Sequence, residues 1–182
     1  MNNLIYHIKN LDCRYNSYSP PVLKIEELNL YEGEVVFFVG ASGVGKSTLL
    51  ETLGLMNNTI DFTPGGDFWF ESKLGRKDLR EIWKTSEKEL AIFRQEHLSF
   101  IFQSTNLFPN LSAFQNVLLT QIVEGKSYEE AKANAKAMIY RLFPNDRDRQ
   151  EIIMEGKGIA ELSGGQRQRV AFVRAAISQY SI

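Results

Sequence analysis

At 182 residues, with 43% hydrophobic and 24% charged residues, the chain has the length and composition of one globular domain. Its net charge of −1 leaves no basic footprint for nucleic acid, and the single cysteine, Cys13, excludes a disulfide framework and suits a reducing compartment. No apolar run approaches the ~20 residues that span a bilayer, and no signal-peptide pattern precedes the first strand, so work at a membrane would need spans from another chain.

In chain order, Ile5, Tyr6, Ile8 and Leu11, then Val22, Ile25, Leu28 and Leu30, predict two imperfectly alternating strands joined by a loop over residues 16–21. Val35-Val36-Phe37-Phe38-Val39 is an unbroken apolar run that predicts a strand buried on both faces. Directly after it, Gly40-Ala41-Ser42-Gly43-Val44-Gly45-Lys46-Ser47-Thr48 fits G-x-x-x-x-G-K-[ST], the loop that wraps the phosphates of a nucleotide. Glycines 40, 43 and 45 carry no Cβ, so the backbone can bend and press its N–H groups onto phosphate oxygens. In such a loop Lys46 reaches the β- and γ-phosphates and the Ser47 hydroxyl is offered to Mg²⁺. Leu49, Leu50 and Leu53 follow at helical spacing and close at Gly54, so strand, loop and helix N-terminus stand in the order that phosphate binding needs.

Beyond the loop, Gly65-Gly66 and Leu74-Gly75 mark turns around a strand at Phe68-Trp69-Phe70. Ser86 with Glu89 reads as a capping box that opens a helix. Leu98-Ser99-Phe100-Ile101-Phe102 then predicts a short buried strand that ends at Gln103. From Ser112 to about Glu161 the pattern is helical, with a second capping box at Ser127 and Glu130 and a stop at Pro144. The charge runs at 84–89 and 146–151 read as solvated faces, and His7 and His97 as structural. Leu162-Ser163-Gly164-Gly165-Gln166 comes next. Ser163 is a good N-cap, and the helix from Gln166 to Ile177 carries Val170, Val173 and Ile177 on one face. Ser163, Gly164 and Gly165 thus present a bare helix N-terminus, a second anion site in a pentapeptide that begins 122 positions after Gly40.

With this pentapeptide and the phosphate loop, the chain resembles the ATP-binding subunits of ABC transporters, whose defining string reads LSGGQ. The resemblance implies ATP and Mg²⁺ as ligands and a second copy of the subunit as partner. Two subunits would sandwich two ATPs, residues 163–166 of one closing over the nucleotide of the other. It implies that Gln103 touches the Mg²⁺ and the attacking water, while its loop senses a separate transmembrane permease. An aromatic residue about 25 positions before the phosphate loop would stack on adenine; Tyr15 has that spacing, and Tyr18 is its competitor. Gln103 with Asn106-Leu107-Phe108-Pro109 and Asn116-Val117 looks most like the lipoprotein-release and macrolide-exporter branch. Ser112 and Gln115 depart from that branch's usual Thr and Glu.

The expected fold is therefore α/β: a P-loop core with a mostly parallel sheet, an antiparallel β-subdomain, and a helical subdomain over about 104–163. The expected activity is ATP hydrolysis that powers a transporter, at the inner face of the cell membrane on the cytoplasmic side. Soluble ABC-type ATPases acting on DNA or ribosomes, and a non-catalytic nucleotide-binding module, are the alternatives. The family follows its pentapeptide helix with a strand ending in Asp-Glu, and no Asp or Glu follows Glu161 here. The sequence is thus expected to cover about three-quarters of the usual domain, through an incomplete reading frame, a deliberate fragment or a naturally short variant. The strand expected after Ile182 would lie beside residues 35–39. Without it the 182 residues are expected to expose an apolar sheet edge, to aggregate and to lack hydrolysis on their own. Transport substrate, direction and membrane partner are not legible in the chain.

Overall fold

A computed structural model describes residues 3–16, 18–61, 65–72 and 75–177, which fall into two units, residues 3–98 and 99–177. Leu74, expected in a turn, and Tyr180, Ser181 and Ile182 lie outside the described residues.

The first unit is built on antiparallel pairing. Strands β1 (Leu4–Cys13) and β2 (Leu23–Tyr31) form the expected hairpin. β1 also pairs with β3 (Ile60–Asp61) near its end and with β4 (Asp67–Ser72) near its start, and β4 pairs with β5 (Gly75–Asp78). The sheet order is β2-β1-β4-β5, with β3 beside the far end of β1. Imperfect alternation in β1 has two local causes. A register shift between Leu4 and Tyr6 buries Ile5 and Tyr6 together, and Asn10 takes φ 48, so the inward residues change from Tyr6 and Ile8 to Leu11 and Cys13. Side chains from this face meet helices α1 (Lys46–Leu53), α2 (Leu79–Ile82) and α3 (Glu87–His97) in one core. Tyr6 is buried against Phe68 and Phe70, and its hydroxyl donates to the Leu53 carbonyl at 2.7 Å, satisfying a polar atom that would otherwise be costly.

Two expected strands are not formed. Residues 35–39 have no ladder partner among the described residues, and Val35, Phe37 and Val39 are 79%, 81% and 88% exposed. Residues 98–102 are likewise irregular, with Ile101 exposed. An apolar run is only a candidate strand; its N–H and C=O groups need a neighbouring strand in hydrogen-bonding reach, and neither run pairs with one among the described residues. The five-stranded sheet is accordingly antiparallel throughout, and the expected parallel core sheet is absent from it.

The second unit is helical: α4 (Ala113–Val123), α5 (Tyr128–Leu142), α6 (Arg147–Met154) and α7 (Gly164–Ala176), with a short 3₁₀ turn, Ile159–Glu161, before α7. Helix starts follow the serines. Ser86 and Ser127 each accept from the amide three residues on, half of the expected capping boxes, whose reciprocal bonds from Glu89 and Glu130 are not formed; Ser112 makes both halves with Gln115. The core joins Val117 and Leu118 of α4 to Ala135 and Ile139 of α5, Ile153 of α6, and Val170 and Val173 of α7. Gln121 is buried among them without penalty, because its amide donates to Ile177 O at 3.3 Å and accepts from Asn134 at 2.6 Å. No helix among the described residues is long and apolar enough to cross a membrane.

Candidate nucleotide-binding site

The phosphate loop lies in the first unit. Gly43 and Gly45 take φ 85 and 93, and Gly45 is the left-handed N-cap of α1, so the loop turns sharply into the helix at Lys46. A Cβ on Gly45 would stand 3.1 Å from the Val22 carbonyl as well as straining the backbone, which fixes glycine there for two reasons. Thr48, Leu49, Thr52 and Leu53 are buried and anchor α1, while Ala41, Ser42, Gly43 and Ser47 stay exposed around its N-terminus. The first amides of α1 are thus held toward solvent by a rigid base, as an anion site requires.

Lys46 does not extend into solvent. Its Nζ donates to the Gly40 and Ala41 carbonyls at 2.8 and 2.6 Å, bridging back over its own loop. Both contacts are solvent-exposed, and a phosphate oxygen is a stronger acceptor for an ammonium than a neutral carbonyl. Tyr15 lies beside the loop: its hydroxyl bonds Thr48 Oγ1 at 3.0 Å while the residue stays 63% exposed, leaving ring surface open. Tyr18 is fully exposed, and its backbone N–H donates to Asn16 Oδ1 at 3.1 Å. Of the two tyrosines, Tyr15 is the one bonded to a residue of the phosphate loop.

The remaining residues belong to the second unit. Gln103 is exposed, in an irregular segment that closes with Thr105 N donating to Phe102 O at 2.9 Å. Ser163 caps α7 by a full capping box: its Oγ accepts from Gln166 N at 3.3 Å, and Gln166 Oε1 accepts from Ser163 N at 2.7 Å. The Ser163 hydroxyl hydrogen stays free to donate, and Gly164 has nothing within 4 Å of where a Cβ would stand. The helix start is therefore both capped and sterically open.

Two features were not drawn from the sequence. Asn116 is fully buried and holds the segment before α4 by four bonds: it accepts from Phe108 N at 2.8 Å and donates to the carbonyls of Phe108, Leu111 and Ser112. Arg174 is half-buried and donates to the Asn106 and Thr105 carbonyls. Burial pushes its pKa below the ordinary arginine value. An arginine near a helix C-terminus with no acid in sequence reach was the signal for a backbone contact.

The ABC transporter family profile matches residues 23–182. The chain belongs to that family. It is 33% identical to the lipoprotein-releasing system ATP-binding protein LolD of Porphyromonas gingivalis over 98% of the chain and 73% of the relative. The corresponding protein LolD 1 of Chlorobium luteolum is 36% identical over 87% of the chain, which spans 62% of that relative's length. The macrolide export ATP-binding/permease protein MacB of Pasteurella multocida is 34% identical over 98% of the chain and 25% of the relative. These relatives fall in the branch that the Gln103 segment resembles. Among solved structures, the dimeric bacterial ABC transporter cassette MJ0796 superposes with a TM-score of 0.72 at 30% identity, covering 94% of this chain and 68% of that one. The same cassette bound to ADP and Pi, in its post-hydrolysis dimer, gives 0.71. The fold is therefore of the ABC ATPase cassette type, with its antiparallel β-unit and helical unit formed here.

Proposed function

We propose that this chain is the ATP-binding and ATP-hydrolysing subunit of an ABC transporter, working as a pair of copies on the inner face of the cell membrane with a separate permease. The observation that carries it is the loop at residues 40–48, where a left-handed glycine cap starts α1 and the Lys46 ammonium lies back over the same loop on exposed carbonyls. A triphosphate fits this chemistry: backbone amides and a cation for the anion, an exposed tyrosine face for the base. Mg²⁺, when bound with ATP, would supply charge neutralisation on the phosphates, with Ser47 and Gln103 the residues offered to it. No group of His, Cys, Asp or Glu among the described residues could hold a metal by itself, consistent with an ion that comes with its nucleotide.

Residues 163–166 serve the partner copy in this reading. Their capped helix start presents a free serine hydroxyl and open glycines to the γ-phosphate across the dimer, so binding of ATP closes the pair and hydrolysis releases it. Lipoprotein release or drug export is the class of work that the relatives' names suggest; the chain itself carries no translocation path.

Replacing Lys46 by Ala tests the core of this reading. The variant keeps the buried face of α1, so circular dichroism should be unchanged. ATP affinity should fall at least tenfold, about 1.4 kcal/mol, for loss of a charge-assisted contact. An unchanged dissociation constant in nucleotide titration would remove the phosphate-loop assignment.

A further inference from the structure

Residues 99–106, which carry Gln103, form no regular element, yet both ends of the segment are tied to one turn of α7. At the start, Ser99 Oγ donates to the Ala175 carbonyl at 3.1 Å. At the end, the Arg174 guanidinium donates to the Asn106 carbonyl at 2.9 Å and the Thr105 carbonyl at 3.0 Å. Those two carbonyls belong to consecutive non-glycine residues in the left-handed region, Thr105 at φ 62 and Asn106 at φ 43. A β-branched residue avoids that conformation unless its surroundings impose it. Here the imposition is visible: Arg174 gathers both carbonyls, and Asn116 fixes Phe108 just beyond. Plain anchoring of a loop to a helix would need one neutral hydrogen bond. A half-buried cation that spends its donors on two carbonyls of a strained turn is a more demanding arrangement, and the fork of a guanidinium suits it.

We propose that Arg174 is the positioning residue for Gln103, holding the turn that sets where the glutamine side chain is presented. This rests on the reading of Gln103 as a participant in ATP hydrolysis. The residue acts from the end of α7 opposite Ser163, so one 13-residue helix bears the capped start offered to the partner's nucleotide and the clamp on the glutamine segment. A shift of that helix start on dimer closure is thereby passed to Gln103 through a rigid element of the same unit.

The test compares the full-length protein with Gln103→Ala, Arg174→Ala and the double variant, in steady-state ATP hydrolysis and ATP titration. Gln103→Ala should lower kcat. Arg174→Ala should lower kcat about tenfold or more, leave the dissociation constant for Mg-ATP unchanged within about twofold, and have no further effect once Gln103 is absent. A purely structural role would instead move binding and turnover together, or give losses that multiply. Wild-type kcat in Arg174→Ala, or multiplied losses beside a normal response to Gln103→Ala, overturns the proposal alone. Wild-type kcat in Gln103→Ala overturns the reading beneath it, and the proposal with it. If Arg174→Ala does not fold, Arg174→Gln, which keeps a neutral donor in place, is read by the same cycle: a kcat loss confined to the Gln103-containing background supports the clamp, and any other pattern sinks it.

Discussion

Lys46 and Arg174 each donate to two backbone carbonyls, and solvent separates their meanings. The Lys46 contacts are exposed, so water competes for the ammonium and the bonds hold little. Arg174 is half-buried with its pKa lowered by burial; its bond to Thr105 O is part-buried while that to Asn106 O is exposed, so the two carbonyls compensate a partial desolvation. The first is a cation ready to leave for a better acceptor; the second is part of the scaffold. His97 illustrates the same balance for a titrating group. Its ring lies 4.7 Å from that of Phe93 and 5.2 Å from that of Phe70, and burial pushes its pKa below 6.5, with Lys77 acting in the same direction and Glu96 against it. The unfolded chain therefore takes up this proton at higher pH than the folded one. Stability from His97 is present in full above about pH 6.5 and is lost as pH falls from there through the folded-state pKa. Urea melts at about pH 7.5 and 5.5 should show a smaller loss on acidification for His97→Leu than for the native chain. Equal losses would mean that His97 is not the group responsible.

Among the elements, helix starts obey local chemistry closely. Ser112 Oγ accepts from Gln115 N at 3.2 Å and Gln115 Oε1 accepts from Ser112 N at 2.9 Å, so the two departures from the family's usual Thr and Glu rebuild the same capping box. Ser112→Ala should cost about 1 kcal/mol, read as a lower urea midpoint. The pair Ser112→Thr with Gln115→Glu should match the native chain. A neutral Ser112→Ala, or a pair variant as unstable as the alanine, would show that α4 does not depend on its cap. This locality explains what the amino-acid order revealed. Serine caps, the glycine loop and the period of α7 each depend on residues within a few positions, and all appear where expected, as does the hairpin of β1 and β2. The strands at residues 35–39 and 98–102 do not form, because their hydrogen bonds must come from segments distant in the chain, and apolarity does not supply them. The same limit hid Arg174, whose partners lie 68 and 69 positions away, and the contact of Tyr15 with Thr48, which spacing alone did not reveal.

At the scale of the whole molecule, the proposed function needs two copies, and Gly164 is the position where that need can be isolated. It opens α7, with Ser163 as cap, and a Cβ there would meet nothing within 4 Å beyond its chain neighbours and its own helix backbone. An aspartate in the first turn of a helix is favoured by the helix dipole, so Gly164→Asp should leave the monomer at least as stable as before. Its own nucleotide loop, in the other unit, is untouched, and ATP titration should return the native affinity. What changes is the surface offered to a partner's γ-phosphate, where an anion is set against an anion in a closing, water-poor interface; like charges there are strongly unfavourable. Light scattering of the full-length protein with ATP, under conditions that arrest hydrolysis, should therefore give a dimer for the native chain and a monomer for Gly164→Asp. An intact ATP-bound dimer in the variant would contradict the role assigned to residues 163–166. Loss of ATP binding by the monomer would instead place the defect within one chain and remove the need for a partner's phosphate at that helix start.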